Sequence, residues 1–245
     1  MLLKLWNIDR RGQLSYQLSI ILPCYNEVSN IAGLISDIRR SGWTSNQAEI
    51  IVINDGSTDG TSELLTRLLA TDHSLKVINP SIRRGLGLSV FDGINSASSE
   101  VVAVMDTDGM HDPSYLAQMA SHTYSTNSMV IGSRYISGGL MQGAIYPYLS
   151  KVMNLIVKSI TRSKVNDQLC GFFVARSSNL KEIEEKKFAG FGEYFIHVIH
   201  HFESKHTVIE IPTIHNVRSA GKRKSIRRKM VKTYLHTALM VRKYE

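Results

Sequence analysis

Cysteine and tryptophan are scarce in this chain: its 245 residues hold two of each, with five prolines. Cys24 and Cys170 lie far apart, which gives neither a disulfide framework nor the paired spacing of a structural metal site, so a reducing compartment is the expectation. Both thiols read as packing residues. Long hydrophobic runs are missing too. The longest unbroken apolar stretch is about five residues, far short of the roughly 20 that a spanning helix needs. MLLKLW is too short for the apolar core of a secretory signal. The expected location is therefore cytoplasmic, with no transmembrane segment. No internal repeat and no low-complexity linker interrupts the chain.

What is present is a 43% hydrophobic composition, enough to bury a full core. The formal net charge of +8 is unevenly spread. From Arg218 onward ten Lys or Arg face Glu245 alone, whereas the body before it carries 19 basic and 20 acidic residues. Such a tail suits nucleic acid, anionic lipid or a phosphorylated ligand, so charge alone does not choose a partner.

Apolar runs of strand length alternate with helical spacing. QLSIILP is followed by Ile31, Leu34, Ile35 and Ile38, then EIIVIN by Leu64, Leu65, Leu68 and Leu69. LKVIN, a helix over about 86 to 97, VVAVM, a helix opening at Pro113 and SMVIG continue the rhythm. This predicts an α/β fold with a Rossmann-like, mostly parallel sheet and helices on both faces. Ligands then collect beyond the carboxyl ends of the strands. Past Gly132 come a glycine-containing loop, a helix over about 148 to 161, GFFVA, a helix near 192 to 202 and TVIEIP.

Acids and turn formers gather at those strand ends: PCYNE after the first strand, NDGSTDGT after the second, DTDGMHDP after the fourth. Asp59 and Asp112 read as helix N-caps, Pro113 as a first helical residue, and Gly56 and Gly60 as turn formers. Asp106 and Asp108 are harder to explain as caps. Two carboxylates one residue apart repel each other unless a cation lies between them, and a hard divalent ion bound by carboxylates and substrate phosphates is the usual solution.

Taken with GSRYISGG, DQLCGFFVARSSNL and the pair IEIP and VRSAGKRK, these motifs resemble the family 2 glycosyltransferases of GT-A fold, and within them the polyprenyl-phosphate hexose synthases. The resemblance runs from about residue 18 to 224. It implies a GT-A domain over 18–217, an N-terminal extension over 1–17 and a basic tail over 218–245. It also implies inverting transfer of a hexose from a nucleotide sugar, GDP-mannose favoured and UDP-hexose as the alternative, to a polyprenyl phosphate, with Mg²⁺ or Mn²⁺ as cofactor. Pro23, Tyr25 and Glu27 would line the nucleoside pocket, and Ile53 and Asp55 would hold base and ribose. Asp106, Thr107 and Asp108 would reach ribose, diphosphate and metal. Arg134, Arg218 and Lys224 would surround the phosphates, with Ser150 as an acceptor-phosphate contact. Asp106, Asp108 and Arg134 are the expected catalytic residues, the two acids also holding the metal.

Departures are visible as well. Met110 stands where the family often has a glutamine on the metal, and Tyr146 stands where an arginine often precedes the acceptor serine. Glu193 in GFGEYF has no acidic neighbour, and the only tryptophans are Trp6 and Trp43; relatives that use a hydroxyl acceptor generally carry a Glu-Asp pair and a Trp motif in that region. A phosphate acceptor is therefore favoured over a saccharide hydroxyl, and a nucleic-acid-binding module, which explains none of the acidic loops, is set aside. His111 reads as a loop residue, and His197, His200, His201, His206 and His215 as helix and strand surface. In the tail Ile226, Met230, Tyr234, Ala238 and Val241 recur at helical spacing beside Arg227, Arg228, Lys229 and Lys232. That predicts a basic amphipathic helix lying on an anionic membrane surface, with docking on the protein's own body as the alternative, and leaves room for a small membrane partner protein.

Overall fold

The computed structural model describes residues 16–218 and 228–243. Seven strands form the main sheet: β1 (Leu18–Cys24), β2 (Ala48–Asn54), β3 (Leu75–Ile78), β4 (Val101–Val104), β5 (Met129–Ser133), β7 (Phe173–Arg176) and β8 (Val208–Pro212). Their spatial order is β3-β2-β1-β4-β7-β5-β8. Every pairing is parallel except the two made by β7, which runs antiparallel between β4 and β5. A small parallel pair, β6 (Leu140–Met141) with β9 (Ile214–His215), stands beside it. All residues of β1 and β2 are buried, as expected of strands covered on both faces.

The helices are α1 (Ile31–Arg40), α2 (Thr61–Leu69), α3 (Leu86–Ser96), α4 (Leu116–Thr126), α5 (Tyr146–Thr161), α6 (Ser177–Lys181), α7 (Tyr194–Lys205) and α8 (Arg228–Lys243). The spacing of Ile31, Leu34, Ile35 and Ile38 does what it predicts: all four are buried. Asp112 accepts from the Ser114 amide at 2.9 Å and Pro113 opens a short 3-10 turn into α4. A Cβ on Gly93 would lie 2.4 Å from Ile21 Cγ2, so only glycine lets α3 approach β1 so closely.

Two expectations are corrected here. First, α8 is not a free basic tail: Ala238 and Val241 are buried in a cluster with Val157 of α5 and Ile196 of α7, joined by Tyr234. The apolar face assigned to a membrane is largely used on the protein's own body. Second, His215 is not on the surface; it is buried in β9. Ile226 and Arg227 lie outside the described residues, as does most of the N-terminal extension.

Candidate active site at the strand ends

Because β1, β2, β4 and β5 run in one direction, their carboxyl ends deliver PCYNE, NDG, DTDG and Arg134 to a single edge of the sheet. The antiparallel β7 brings its amino end there too, so Cys170 and Gly171 join them. These residues enclose a cavity of about 280 Å³ lined by Pro23, Tyr25, Glu27, Asp55, Arg83, Asp106, Thr107, Asp108, Met110, Arg134 and Arg218, with Phe191, Gly192, Tyr194 and Tyr234 on the opposite wall.

Hydrogen bonds between loops hold this edge together. The Asp55 amide donates to the Cys24 carbonyl at 2.8 Å, and the Thr107 hydroxyl donates to the Pro23 carbonyl at 3.2 Å. The Glu27 amide donates to Thr61 Oγ1 at 3.0 Å, and Glu27 Oε2 accepts from Asn30. Asp55 differs from expectation in one respect. Its carboxylate accepts from the amides of Arg84 and Gly85 at 2.6 and 2.8 Å, so it organises the loop before α3 as well as lining the cavity. Ile53 is a correction: it is fully buried inside β2 and is not among the lining residues. Sequence reasoning missed Arg83, whose guanidinium lies 3.6 Å above the Tyr25 ring and 3.6 Å from Asp55 Oδ2. A flat cation stacked on an aromatic ring beside a carboxylate is a surface a nucleoside can use.

The turn after β4 carries the two central acids. Gly109 adopts φ 79°, a left-handed conformation that favours glycine and turns the chain back. The Met110 amide then donates to Asp108 Oδ1 at 3.0 Å. Burial first, and then the Asp108 carboxylate, push the Asp106 carboxyl up to about 7, with Arg218 pulling the other way. Arg218 Nη2 is 2.7 Å from Asp108 Oδ2. Two enclosed carboxyl groups that strain against each other, offering only oxygen donors, fit a hard divalent cation. Beneath them His111 Nδ1 accepts the Asp106 amide at 3.0 Å, its ring stacks on Phe172 with centroids 4.8 Å apart, and His215 meets its edge. Burial holds the His111 ring down at about 4, so it stays neutral and able to accept that bond. Cys170 completes this buried group by donating its Sγ hydrogen to the Gly132 carbonyl at 2.8 Å. His111 is thus a brace for the acidic turn, a role its loop position in the sequence hides.

Arg134 is placed at the cavity, but its charge is already matched. Its Nε and Nη2 donate to Asp167 at 2.8 and 2.7 Å and its amide donates to the same carboxylate at 2.9 Å. Burial opposes the charge, yet the Asp167 carboxylate outweighs it and holds the guanidinium proton more firmly than usual. Asp167 is fully buried and was not among the expected site residues. Glu210 in turn accepts from the Asn166 and Asp167 amides at 2.8 and 3.0 Å. Ser150 is on α5, outside the lining residues. Lys224 and Gly221 lie outside the described residues. Tyr234 of α8 reaches the cavity wall beside Gly192, although the tail pattern had pointed it at lipid.

Known proteins place this architecture. Residues 19–184 match the profile described as glycosyl transferase family 2. A dolichol-phosphate mannosyltransferase of Pyrococcus furiosus is 30% identical over 235 residues, which cover 94% of this chain and 64% of the relative. A polyprenol monophosphomannose synthase of Mycolicibacterium smegmatis is 30% identical over 67% of this chain and 63% of its own length. The chain therefore spans somewhat under two thirds of either relative. Among solved structures, a glucosyl-3-phosphoglycerate synthase of Mycobacterium tuberculosis in complex with Mn²⁺, UDP-glucose and phosphoglyceric acid superposes with a TM-score of 0.72, at 17% identity, over 93% of this chain and 80% of that one. This similarity confirms the GT-A fold, with its mostly parallel sheet between helices. A profile match over most of the chain, together with acidic loops meeting at one sheet edge, establishes that the protein belongs to glycosyl transferase family 2.

Proposed function

We propose that this protein is a divalent-metal-dependent inverting glycosyltransferase that moves a hexose, mannose favoured, from a nucleotide sugar to a polyprenyl phosphate at a membrane surface. The observation that carries the lipid acceptor is the outer face of α5 and the residue before it. Tyr148 is 74% exposed, Ile145 62%, Leu155 57% and Val152 55%, with Leu149 and Ile156 between them. The helix also carries Lys151 and Lys158, is followed by Arg162, and contains no acid. Contiguous exposed apolar surface bordered by cations suits an anionic lipid phase, and a water-soluble saccharide gives no reason for it. Among the described residues no helix is long and apolar enough to cross a membrane. Relatives named as mannosyltransferases acting on dolichol phosphate and as polyprenol monophosphomannose synthases support the same reading.

In this reading Asp106 and Asp108 hold Mg²⁺ or Mn²⁺, which neutralises the diphosphate that leaves. Tyr25, Arg83 and Glu27 receive the nucleoside, and Arg218 takes up phosphate charge beside Asp108. A lipid phosphate monoester, with a second pKa of about 6, is already an anion at neutral pH and attacks the anomeric carbon without a protein base. Glu193, which is not among the lining residues, has no part in the transfer. The test is radiolabelled GDP-mannose, UDP-glucose and UDP-GlcNAc, each with vesicles containing polyprenyl phosphate or free polyprenol. Organic-phase product from GDP-mannose and the phosphate alone is the expected result. Equal transfer to the alcohol, or product only in the aqueous phase with a saccharide acceptor, overturns the acceptor assignment.

A further inference from the structure

At the end of α7 remote from the cavity, three metal-binding side chains converge. The ligand atoms of Glu182, His201 and His206 all lie within 4.8 Å of one another. Glu182 closes α6, His201 is in the last turns of α7, and His206 is its C-cap in extended backbone, φ −136° and ψ 179°. That extended residue returns its ring over Phe202, centroids 5.3 Å apart, and towards His201, centroids 6.1 Å apart. The convergence follows from how the helix ends and not from a simple helical repeat.

Each imidazole carries an unsatisfied ring nitrogen, and that of His201 faces Glu182. Nε2 of His201 and Nε2 of His206 are buried and make no hydrogen bond. Buried polar atoms without a partner are uncommon in folded proteins, and an ion is one of their regular explanations. Burial first, and then the Lys205 charge, lower the His201 pKa, so the ring is neutral at neutral pH. Glu182 Oε2 is 3.6 Å from His201 Nε2, too long for a hydrogen bond but close to the roughly 3.3 Å that separates two ligands on a tetrahedral zinc ion with bonds of about 2.05 Å. Lys205, whose Nζ is 3.0 Å from Glu182 Oε2, is on an exposed side chain free to leave.

We propose that Glu182, His201 and His206 form a binding site for a zinc-class divalent ion, with water completing its coordination. Two imidazoles and one carboxylate favour Zn²⁺, or Co²⁺ as its spectroscopic substitute, over the Mg²⁺ and Mn²⁺ that suit the all-oxygen pair Asp106 and Asp108. The buried trio His111, Cys170 and His215 is no rival, because His111 Nδ1 and Cys170 Sγ already bond the Asp106 amide and the Gly132 carbonyl. The new site is about 18 Å along α7 from Tyr194 at the cavity wall, counting 1.5 Å per helical residue. A bound ion would clamp the end of α6 to the end of α7. It takes no part in sugar transfer.

The experiment uses the full chain, stripped with chelator and titrated with Zn²⁺ against a chromophoric competitor, and in parallel with Co²⁺ followed by visible absorption. Wild type and Asp108→Asn should both bind and give the intense bands of low-coordinate Co²⁺. His206→Ala should lose those bands and at least tenfold in affinity for this ion. Glu182→Gln, on a surface side chain that endangers the fold little, should weaken binding and lose the zinc-induced rise in melting temperature. Equal zinc affinity in wild type, His206→Ala and Glu182→Gln overturns the proposal, as does loss of the Co²⁺ bands in Asp108→Asn alone.

Discussion

Arg218 Nη2 stands 2.7 Å from Asp108 Oδ2, so the acid expected to hold the metal is already paired with a cation of the chain itself. On the proposed function, metal and guanidinium would compete for one carboxylate until donor phosphates gave Arg218 another partner. We expect Arg218→Met to tighten Mn²⁺ binding in the absence of nucleotide by about tenfold and to weaken binding of the nucleotide sugar, a divergence that simple loss of structure does not produce. Asp108→Asn should lower turnover by orders of magnitude with little change in melting temperature. Manganese titration by calorimetry, with and without nucleoside diphosphate, measures both, and unchanged metal binding in both variants would reject the competition.

A second expectation concerns Arg134. Its side chain is buried against Asp167, and removing one partner of a buried ion pair costs about 3 to 5 kcal/mol because the other charge is left alone. Arg134→Ala should therefore lose stability along with activity, and Asp167→Asn should do likewise. In the double variant Arg134→Met with Asp167→Asn the stability loss should be well below the sum. Urea denaturation decides. An Arg134→Ala protein of normal stability and no activity would instead make Arg134 chiefly a phosphate ligand.

For the α5 face we expect Leu149→Ser, Val152→Ser and Leu155→Ser together to cut co-sedimentation with anionic vesicles several-fold at nearly unchanged melting temperature, since all three side chains are exposed. Deleting residues 228 to 245 should act differently: it uncovers Val157 and Ile196 and should destabilise the domain. Vesicle binding that survives the triple change but needs α8 would return the membrane role to the tail.

The pH dependence of stability has opposed contributions. Burial holds His111 and His197 down at about 4, against about 6.5 in the unfolded chain. Between those values the unfolded state binds more protons, so stability falls as pH drops from about 6.5 to 4. Asp106 works the other way. With its pKa raised to about 7, it contributes stability that is complete below its unfolded value near 4 and lost as pH rises through 7. Melting curves of wild type and Asp106→Asn across this range separate the two. The variant should show the steeper fall on the acid side, and identical profiles would refute the assignment.

Much of this was legible in the chain. LSIILPC and EIIVIN are uninterrupted apolar runs, and only a strand covered on both faces wants such a run; the acids and glycines after them had to lie in turns. Other features were not legible, for definite reasons. GFFVA says strand but not direction, so the reversal of β7 was hidden. Asp167 finds Arg134 across 33 positions, a pairing set by sheet order and not by spacing. Helical periodicity shows that a helix has an apolar face, but not whether anything covers it. The sequence therefore leaves membrane and protein body both open as partners of the α8 face and gives no sign that the α5 face is bare, whereas the fold covers the first and exposes the second.

Tyr234 closes the cavity from α8, and Gly192 lacks a side chain at the point where a Cβ would lie 2.5 Å from the tyrosine oxygen. The contact joins parts of the chain that are made at different times. The acidic turns are translated more than a hundred residues before the tyrosine that faces them, so a chain reaching only to Arg218 holds Phe191, Gly192 and Tyr194 of that wall but not Tyr234. The cavity wall is then complete only once α8 has docked on α5 and α7.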